Sequence, residues 1–175
     1  MTPFKTLLLG GARSGKSALA ERLCLASALR PVYLATAKPF DADFRARIEA
    51  HRARRGLAWQ LIEAPHDPAA VLLEAAASDC VLLDSVTVWL ATLMHEKQAI
   101  APAVQGLKDA VTRCPGAVIL VSDEVGLSVH PETALGRRFR DEAGLAHQVL
   151  AEACASVALV VAGLPLMLKG ALPHG

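Results

Sequence analysis

Gly10-Gly11-Ala12-Arg13-Ser14-Gly15-Lys16-Ser17 (GGARSGKS) follows directly on the apolar run Thr6-Leu7-Leu8-Leu9 and opens onto an Ala/Leu/Glu-rich stretch. The spacing of Gly10 and Gly15, with Lys and Ser directly after the second, is that of a strand–turn–helix junction that cradles phosphate. Each residue type has a reason to be there. Glycine adopts backbone angles that turn N–H groups inward, and the N-terminus of the following helix adds its positive dipole end. Lys16 is spaced to reach the β- and γ-phosphates of a nucleoside triphosphate, and the Ser17 hydroxyl to face Mg2+.

Outward from this junction the chain alternates short apolar runs with longer helical patterns. The predicted strands are Lys5–Leu9, Val32–Ala35, Trp59–Ile62, Cys80–Asp84, Val118–Ser122 and Val157–Ala162, with Leu166–Leu168 a short last one. Most are continuous and rich in Val, Leu or Ile, as expected of strands covered on both faces of a parallel sheet. The predicted helices are Lys16–Leu29, Asp41–Arg54, Pro68–Ala77, Val86–His95, Ala103–Arg113 and Thr133–Ala155. Pro and Gly fall mostly at the joints, as at Arg30-Pro31 and Cys114-Pro115-Gly116. The expected fold is α/β: a three-layer, RecA-like P-loop NTPase, its mainly parallel sheet of about seven strands flanked by helices. Residues 1–175 are expected to form one domain.

Composition narrows the function classes. The chain has 175 residues, 53% of them hydrophobic, enough for one sizeable core. A formal net charge of +1 argues against a nucleic-acid binder that works by neutralising many phosphates. No stretch of about 18 apolar residues is free of charges, so no membrane span is expected. Gly10 and Gly11 interrupt the N-terminal apolar stretch, and no signal peptide is expected. Cys24, Cys80, Cys114 and Cys154 are scattered with no C-x-x-C pair, which fits buried thiols in a reducing cytoplasm.

A nucleotide-bound metal calls for an acidic residue at the end of another buried strand. Asp84 closes Cys80-Val81-Leu82-Leu83 and supplies it; the same residue could cap the helix that begins near Val86. The late strand runs into Val121-Ser122-Asp123-Glu124-Val125-Gly126, which lacks the Asn/Thr-Lys-x-Asp base-reading motif of a switch GTPase. Neither the length nor the charge suits a motor or recombination ATPase. The residues by themselves lead as far as a P-loop phosphotransferase acting on a small molecule.

Asp41 to Pro65 (DADFRARIEAHRARRGLAWQLIEAP) is the second informative stretch, with Arg45, Arg47, Arg52, Arg54 and Arg55 surrounding a single His51. Two readings stand side by side. One is a solvated basic face with a pairing histidine. The other places guanidinium groups on a nucleotide's phosphates beside an imidazole nucleophile.

Taken together and in order, GGARSGKS, YLATA, RIEAHRARRGLAWQLIEAP, VLLDSVTVWL, VSDEVGLSVHPET followed by GRRFRDEAGLAHQ, and VALVVAGLPLMLKG resemble one family. It is the bifunctional adenosylcobinamide kinase / adenosylcobinamide-phosphate guanylyltransferase family of cobalamin biosynthesis, and the similarity runs from Thr6 to about Lys169. The resemblance implies two reactions: phosphorylation of adenosylcobinamide by ATP or GTP, then transfer of GMP from GTP to adenosylcobinamide phosphate through a guanylylated histidine. By the R-I-x-x-H pattern that histidine is His51, with Lys16 the catalytic lysine. The same resemblance implies nucleotide contacts at Gly10, Gly11, Ala12, Arg13, Ser14, Gly15, Lys16, Ser17, Ala35, Thr36, Ala37, Arg52, Ala53, Arg54, Arg55, Glu63 and Asp84. Ser17 and Asp84 would hold Mg2+. The implied partners are the corrinoid substrate and nucleoside triphosphates, in a cytoplasmic homo-oligomer, a trimer by the family's habit.

The chain departs from the family pattern at Asp123, where many members have Asn, and at Ser128-Val129-His130-Pro131-Glu132-Thr133, where they have G-x-V-P-E-N. Those positions are expected on a loop near the corrinoid or a neighbouring subunit, where they bear on recognition of the acceptor and leave the nucleotide chemistry intact. A regulatory or partner-binding P-loop ATPase or GTPase with no small-molecule acceptor is the alternative function.

Overall fold

The computed structural model describes residues 3–36, 59–64 and 66–173. Among them seven strands form one sheet: β1 (Lys5–Gly10), β2 (Arg30–Ala35), β3 (Gln60–Glu63), β4 (Asp79–Asp84), β5 (Ala117–Asp123), β6 (Ser156–Val161) and β7 (Leu164–Lys169). Their spatial order is β3-β2-β4-β5-β1-β6-β7. Every pairing is parallel except that of β7, which returns antiparallel along β6. Five described helices connect them: α1 (Lys16–Ala26), α2 (Pro68–Glu74), α3 (Val86–His95), α4 (Ile100–Arg113) and α5 (Ala134–Ala153).

Successive strand residues point to opposite faces, so continuous apolar strands demand cover on both. Leu7, Leu34, Leu83 and Leu120 pack on one face against Leu72 of α2, Trp89 of α3, Leu107 of α4 and Leu150 of α5. Leu8, Tyr33, Leu82 and Ile119 pack on the other against Leu19, Ala20 and Cys24 of α1. The result is the expected three layers with a mainly parallel sheet between them. All four cysteines are buried and unpaired, as their apolar settings implied. The tryptophans also serve packing: Trp89 lies in the core, and Trp59 meets Tyr33 edge-on with ring centroids 6.1 Å apart.

The boundaries differ from the predicted ones where turn chemistry intervenes. Helix α4 starts at Ile100 rather than Ala103, because Pro102 falls within its first turn, where no N–H has an intrahelical partner to lose. Helix α1 stops at Ala26 because the Ser27 hydroxyl donates to the Cys24 carbonyl and Ala28 turns left-handed at φ 58°. Strand β7 is longer than predicted. Ala162 and Gly163, both at positive φ, make a two-residue turn whose twist matches the strands it joins. The helix predicted at Asp41–Arg54 lies outside the described residues.

Leu120 is fully buried in β5, between β4 and β1. Leu120→Ala is expected to lower unfolding free energy by about 3 kcal/mol. Urea titration would show this as an earlier midpoint with an unchanged slope.

Candidate nucleotide site

The cradle is built where β1 ends. Gly10 is level with Asp123 of β5 on one side and Val160 of β6 on the other. A Cβ on Gly10 would lie 2.6 Å from both the Val160 carbonyl oxygen and Ser14 Oγ, so only glycine fits. The chain then turns tightly. Arg13 adopts φ 57° and Gly15 φ 96°, and Ser14 N–H donates to the Gly11 carbonyl at 3.2 Å. From the far end of the chain, Gly163 N–H donates to the Ser14 carbonyl at 2.8 Å, which ties the loop to the β6–β7 turn. Gly15 is the N-cap of α1, and no side chain caps that helix. The Ser14 hydroxyl is buried and has no hydrogen-bond partner among the described residues.

Lys16, the first residue of α1, is 8% exposed, and its Nζ donates to the Gly11 carbonyl at 3.1 Å. The same ammonium lies 2.5 Å from Asp123 Oδ1. The other carboxylate oxygen accepts from Thr87 Oγ1 at 3.0 Å, and Asp123 N–H donates back to that hydroxyl at 3.2 Å. Thr87 Oγ1 is 3.1 Å from Ser85 Oγ, which accepts from Val88 N–H as the N-cap of α3. Ser85 is in turn clasped by Thr36: its N–H donates to Thr36 Oγ1 at 3.1 Å, and that hydroxyl donates to the Ser85 carbonyl at 2.7 Å. A continuous polar chain thus runs from the end of β2 to the lysine of the cradle.

The structure gathers most of the described candidate residues at one sheet edge. Ala35, Glu63 and Asp84 are register partners at the carboxyl ends of β2, β3 and β4. Gly10 closes β1 at the same edge, and Gly11, Ala12, Arg13, Ser14, Gly15, Lys16 and Ser17 follow it into α1. Glu63 is exposed and Asp84 half-buried. The helix cap considered for Asp84 belongs instead to Ser85, one residue later, because extended backbone there aims the serine hydroxyl at Val88 N–H. Thr36 is fully buried, with its hydroxyl committed to Ser85. Ala37, His51, Arg52, Ala53, Arg54 and Arg55 lie outside the described residues.

Two features escaped the sequence. Asp123, expected only on an acceptor-side loop, instead closes β5 as Asp84 closes β4 and meets the lysine of the cradle; β5 was predicted to end one residue short, at Ser122. The second is His147, 6% exposed on α5. Its Nε2 is 2.7 Å from Ser122 Oγ, and its Nδ1 is 3.5 Å from Glu124 Oε2. Burial pushes the imidazole below its ordinary pKa, against the pull of the Glu124 and Asp123 carboxylates. Glu124 also accepts from Gly126 N–H at 2.6 Å, and its own N–H donates to the Gly10 carbonyl at 3.0 Å. The divergent loop beyond it is strapped to α5: Arg137 donates to the Pro131 and Glu132 carbonyls, and Arg140 to His130 Nδ1 at 2.8 Å.

A phosphate cradle on β1, with β5 standing between it and the strand that ends in Asp84, defines a RecA-like P-loop nucleotide-binding protein. The crystal structure of the RadB recombinase shares this fold, with a TM-score of 0.57 at 16% identity over 98% of this chain and 84% of that one. Residues 6–168 match the model of the "Cobinamide kinase / cobinamide phosphate guanyltransferase" family, and the chain belongs to that family. A Pseudomonas aeruginosa protein named "Bifunctional adenosylcobalamin biosynthesis protein CobP" is 47% identical over 170 residues, covering 95% of this chain and 98% of its own. Its Escherichia coli counterpart, "Bifunctional adenosylcobalamin biosynthesis protein CobU", is 37% identical over 179 residues, covering 93% of this chain and 98% of its own.

Two predictions come from this geometry. Gly15 has φ 96°, and a Cβ there would lie 3.0 Å from Gly163 Cα. Gly15→Ala is therefore expected to weaken GTP binding about tenfold in calorimetric titration, with little change in far-UV dichroism. The second concerns His147, whose native pKa is lowered from 6.5. As pH falls below that value the unfolded chain takes up a proton that the native ring resists, so the stability present above it is lost. Urea unfolding across this range should show a flatter pH dependence in His147→Gln than in the wild type.

Proposed function

We propose that the chain phosphorylates adenosylcobinamide with ATP or GTP and then transfers GMP from GTP to the adenosylcobinamide phosphate, acting as one domain in a homo-oligomer, a trimer by the family's habit. In the first reaction the acceptor hydroxyl oxygen bonds to the γ-phosphorus, the bond to the β-bridging oxygen breaks, and the hydroxyl proton leaves. In the second a neutral ring nitrogen of His51 bonds to the α-phosphorus of GTP and pyrophosphate departs. An oxygen of the substrate phosphate then displaces the imidazole, giving adenosylcobinamide-GDP. Dividing the displacement into two steps presents the substrate phosphate with a guanylyl-imidazole, whose pyrophosphate has already gone, in place of the full triphosphate.

The observation that carries this reading is the cradle within the family match over residues 6–168. Gly10 to Ser17 would hold the triphosphate through backbone N–H groups, and the unpaired Ser14 hydroxyl offers one more polar contact. Lys16, already half-committed to a carboxylate, would meet the terminal phosphates. Ala35, Thr36 and Ala37 would form the strand end that meets a nucleotide, and Arg52, Ala53, Arg54, Arg55 and Glu63 would contact the guanine nucleotide. The donor set suits Mg2+ brought by the nucleotide. No cluster of three or more His, Cys, Asp or Glu could hold a metal among the described residues. Mg2+ needs only one or two protein oxygens beside phosphates and water, and Ser17 and Asp84 would supply them. When bound, the ion neutralises charge on the triphosphate.

Incubation with α-labelled GTP and Mg2+ tests the central step. The wild-type protein should retain acid-labile, base-stable label, and His51→Ala should abolish it while keeping the same thermal midpoint. Wild-type protein that takes up no label would end the transferase reading. Lys16→Ala should abolish phosphorylation of adenosylcobinamide; undiminished turnover would mean that the cradle does not serve that reaction.

A further inference from the structure

The pairing of Lys16 with Asp123 has more structure behind it than a surface ion pair. The lysine is 8% exposed, and the carboxylate is fixed from the opposite side by Thr87, which is 4% exposed. Donors and acceptors balance along the whole chain. Thr87 gives its one proton to Asp123 Oδ2 and accepts from Asp123 N–H and from Ser85, while Ser85 is held by Thr36. Asp123 therefore does not swing freely onto the lysine; its orientation is set by three elements, β5, α3 and the end of β2. The side chain of Asp123 remains 36% exposed, so water can take over its charge if the lysine leaves.

A β- or γ-phosphate arriving at the N-terminus of α1 offers anionic oxygens to the same ammonium. We propose that Asp123 is a positioning residue that competes with the terminal phosphates for Lys16 and so sets the affinity of the cradle for nucleoside di- and triphosphates. Binding exchanges one charge-assisted contact for another, and only the difference appears as affinity. The ammonium paired with this carboxylate also donates to the Gly11 carbonyl of the cradle at 3.1 Å. A nucleoside monophosphate, which has neither terminal phosphate, does not engage in the exchange. The inference rests on the reading of Gly10 to Ser17 as a triphosphate cradle.

The test is calorimetric titration of the full chain with GTP, GDP and GMP, once in EDTA and once in Mg2+, for the wild type and Asp123→Asn. Asparagine keeps the shape and can still accept from Thr87, but it loses the charge. The variant should bind GTP and GDP about fivefold more tightly than the wild type in both media, with GMP unchanged. Thr87→Val, which frees the carboxylate to drift, should move the same affinities in the same direction by less. Unchanged or weaker GTP binding by Asp123→Asn in EDTA would overturn the competition. Weakening confined to Mg2+ would also overturn it, by making Asp123 a metal-side group. Equal tightening of GMP would do so as well, because the effect would then not pass through Lys16. Wild-type protein that binds no GTP would instead refute the cradle reading itself, and this inference with it.

Discussion

The carboxyl edge of the sheet depends on how closely Gly10 lies beneath its neighbours. With 2.6 Å between a would-be Cβ and both Val160 O and Ser14 Oγ, the loop after β1 has room to fold back only over bare backbone. That fold-back brings Gly11 over Lys16, sets Gly15 left-handed at the head of α1, and delivers Ser14 to the N–H of Gly163. A larger residue at Gly10 would push the loop off β6 and break each of these contacts at once. Close approach and positive φ are separate demands, met by different glycines.

Around this loop the strand ends carry a polar network, although the strands themselves are apolar. Its contacts are short and mutually satisfied, and low-dielectric surroundings make such networks costly when any member is missing. Their contribution is one of orientation. The net stability of a partly exposed ion pair is small, and the apolar layers that pack Leu7, Leu83 and Leu120 dominate folding. Ser122, His147 and Glu124 do for the loop after β5 what Thr36, Ser85 and Thr87 do for its last residue: they hold a charged group on the edge of the sheet from behind.

Sequence reading reached the layers of this fold because parallel strands covered on both faces leave a plain trace, runs such as Cys80-Val81-Leu82-Leu83. It reached the cradle because Gly10, Gly15, Lys16 and Ser17 are consecutive in a local motif whose chemistry permits few substitutes. What it could not see were pairings set by register between distant strands. Nothing local says that Asp123 stands level with Gly10, or that Thr87 turns toward Asp123 across 36 positions. His147 shows the same limit: a lone histidine in a helical pattern becomes a buried bridge only when α5 packs over β5. The end of α1 and the start of α4 were misjudged for smaller, local reasons, a serine that turns back and a proline tolerated in a first turn.

The contact between Ser14 and Gly163 joins residues far apart in sequence. During synthesis the cradle leaves the ribosome well before the turn that buttresses it. Closing so long a loop costs entropy that only the nearly complete sheet can offset. Until β6 and β7 follow, the nascent chain carries the whole phosphate motif without the support that shapes it. The loop takes its final shape only once the β6–β7 turn stands against it.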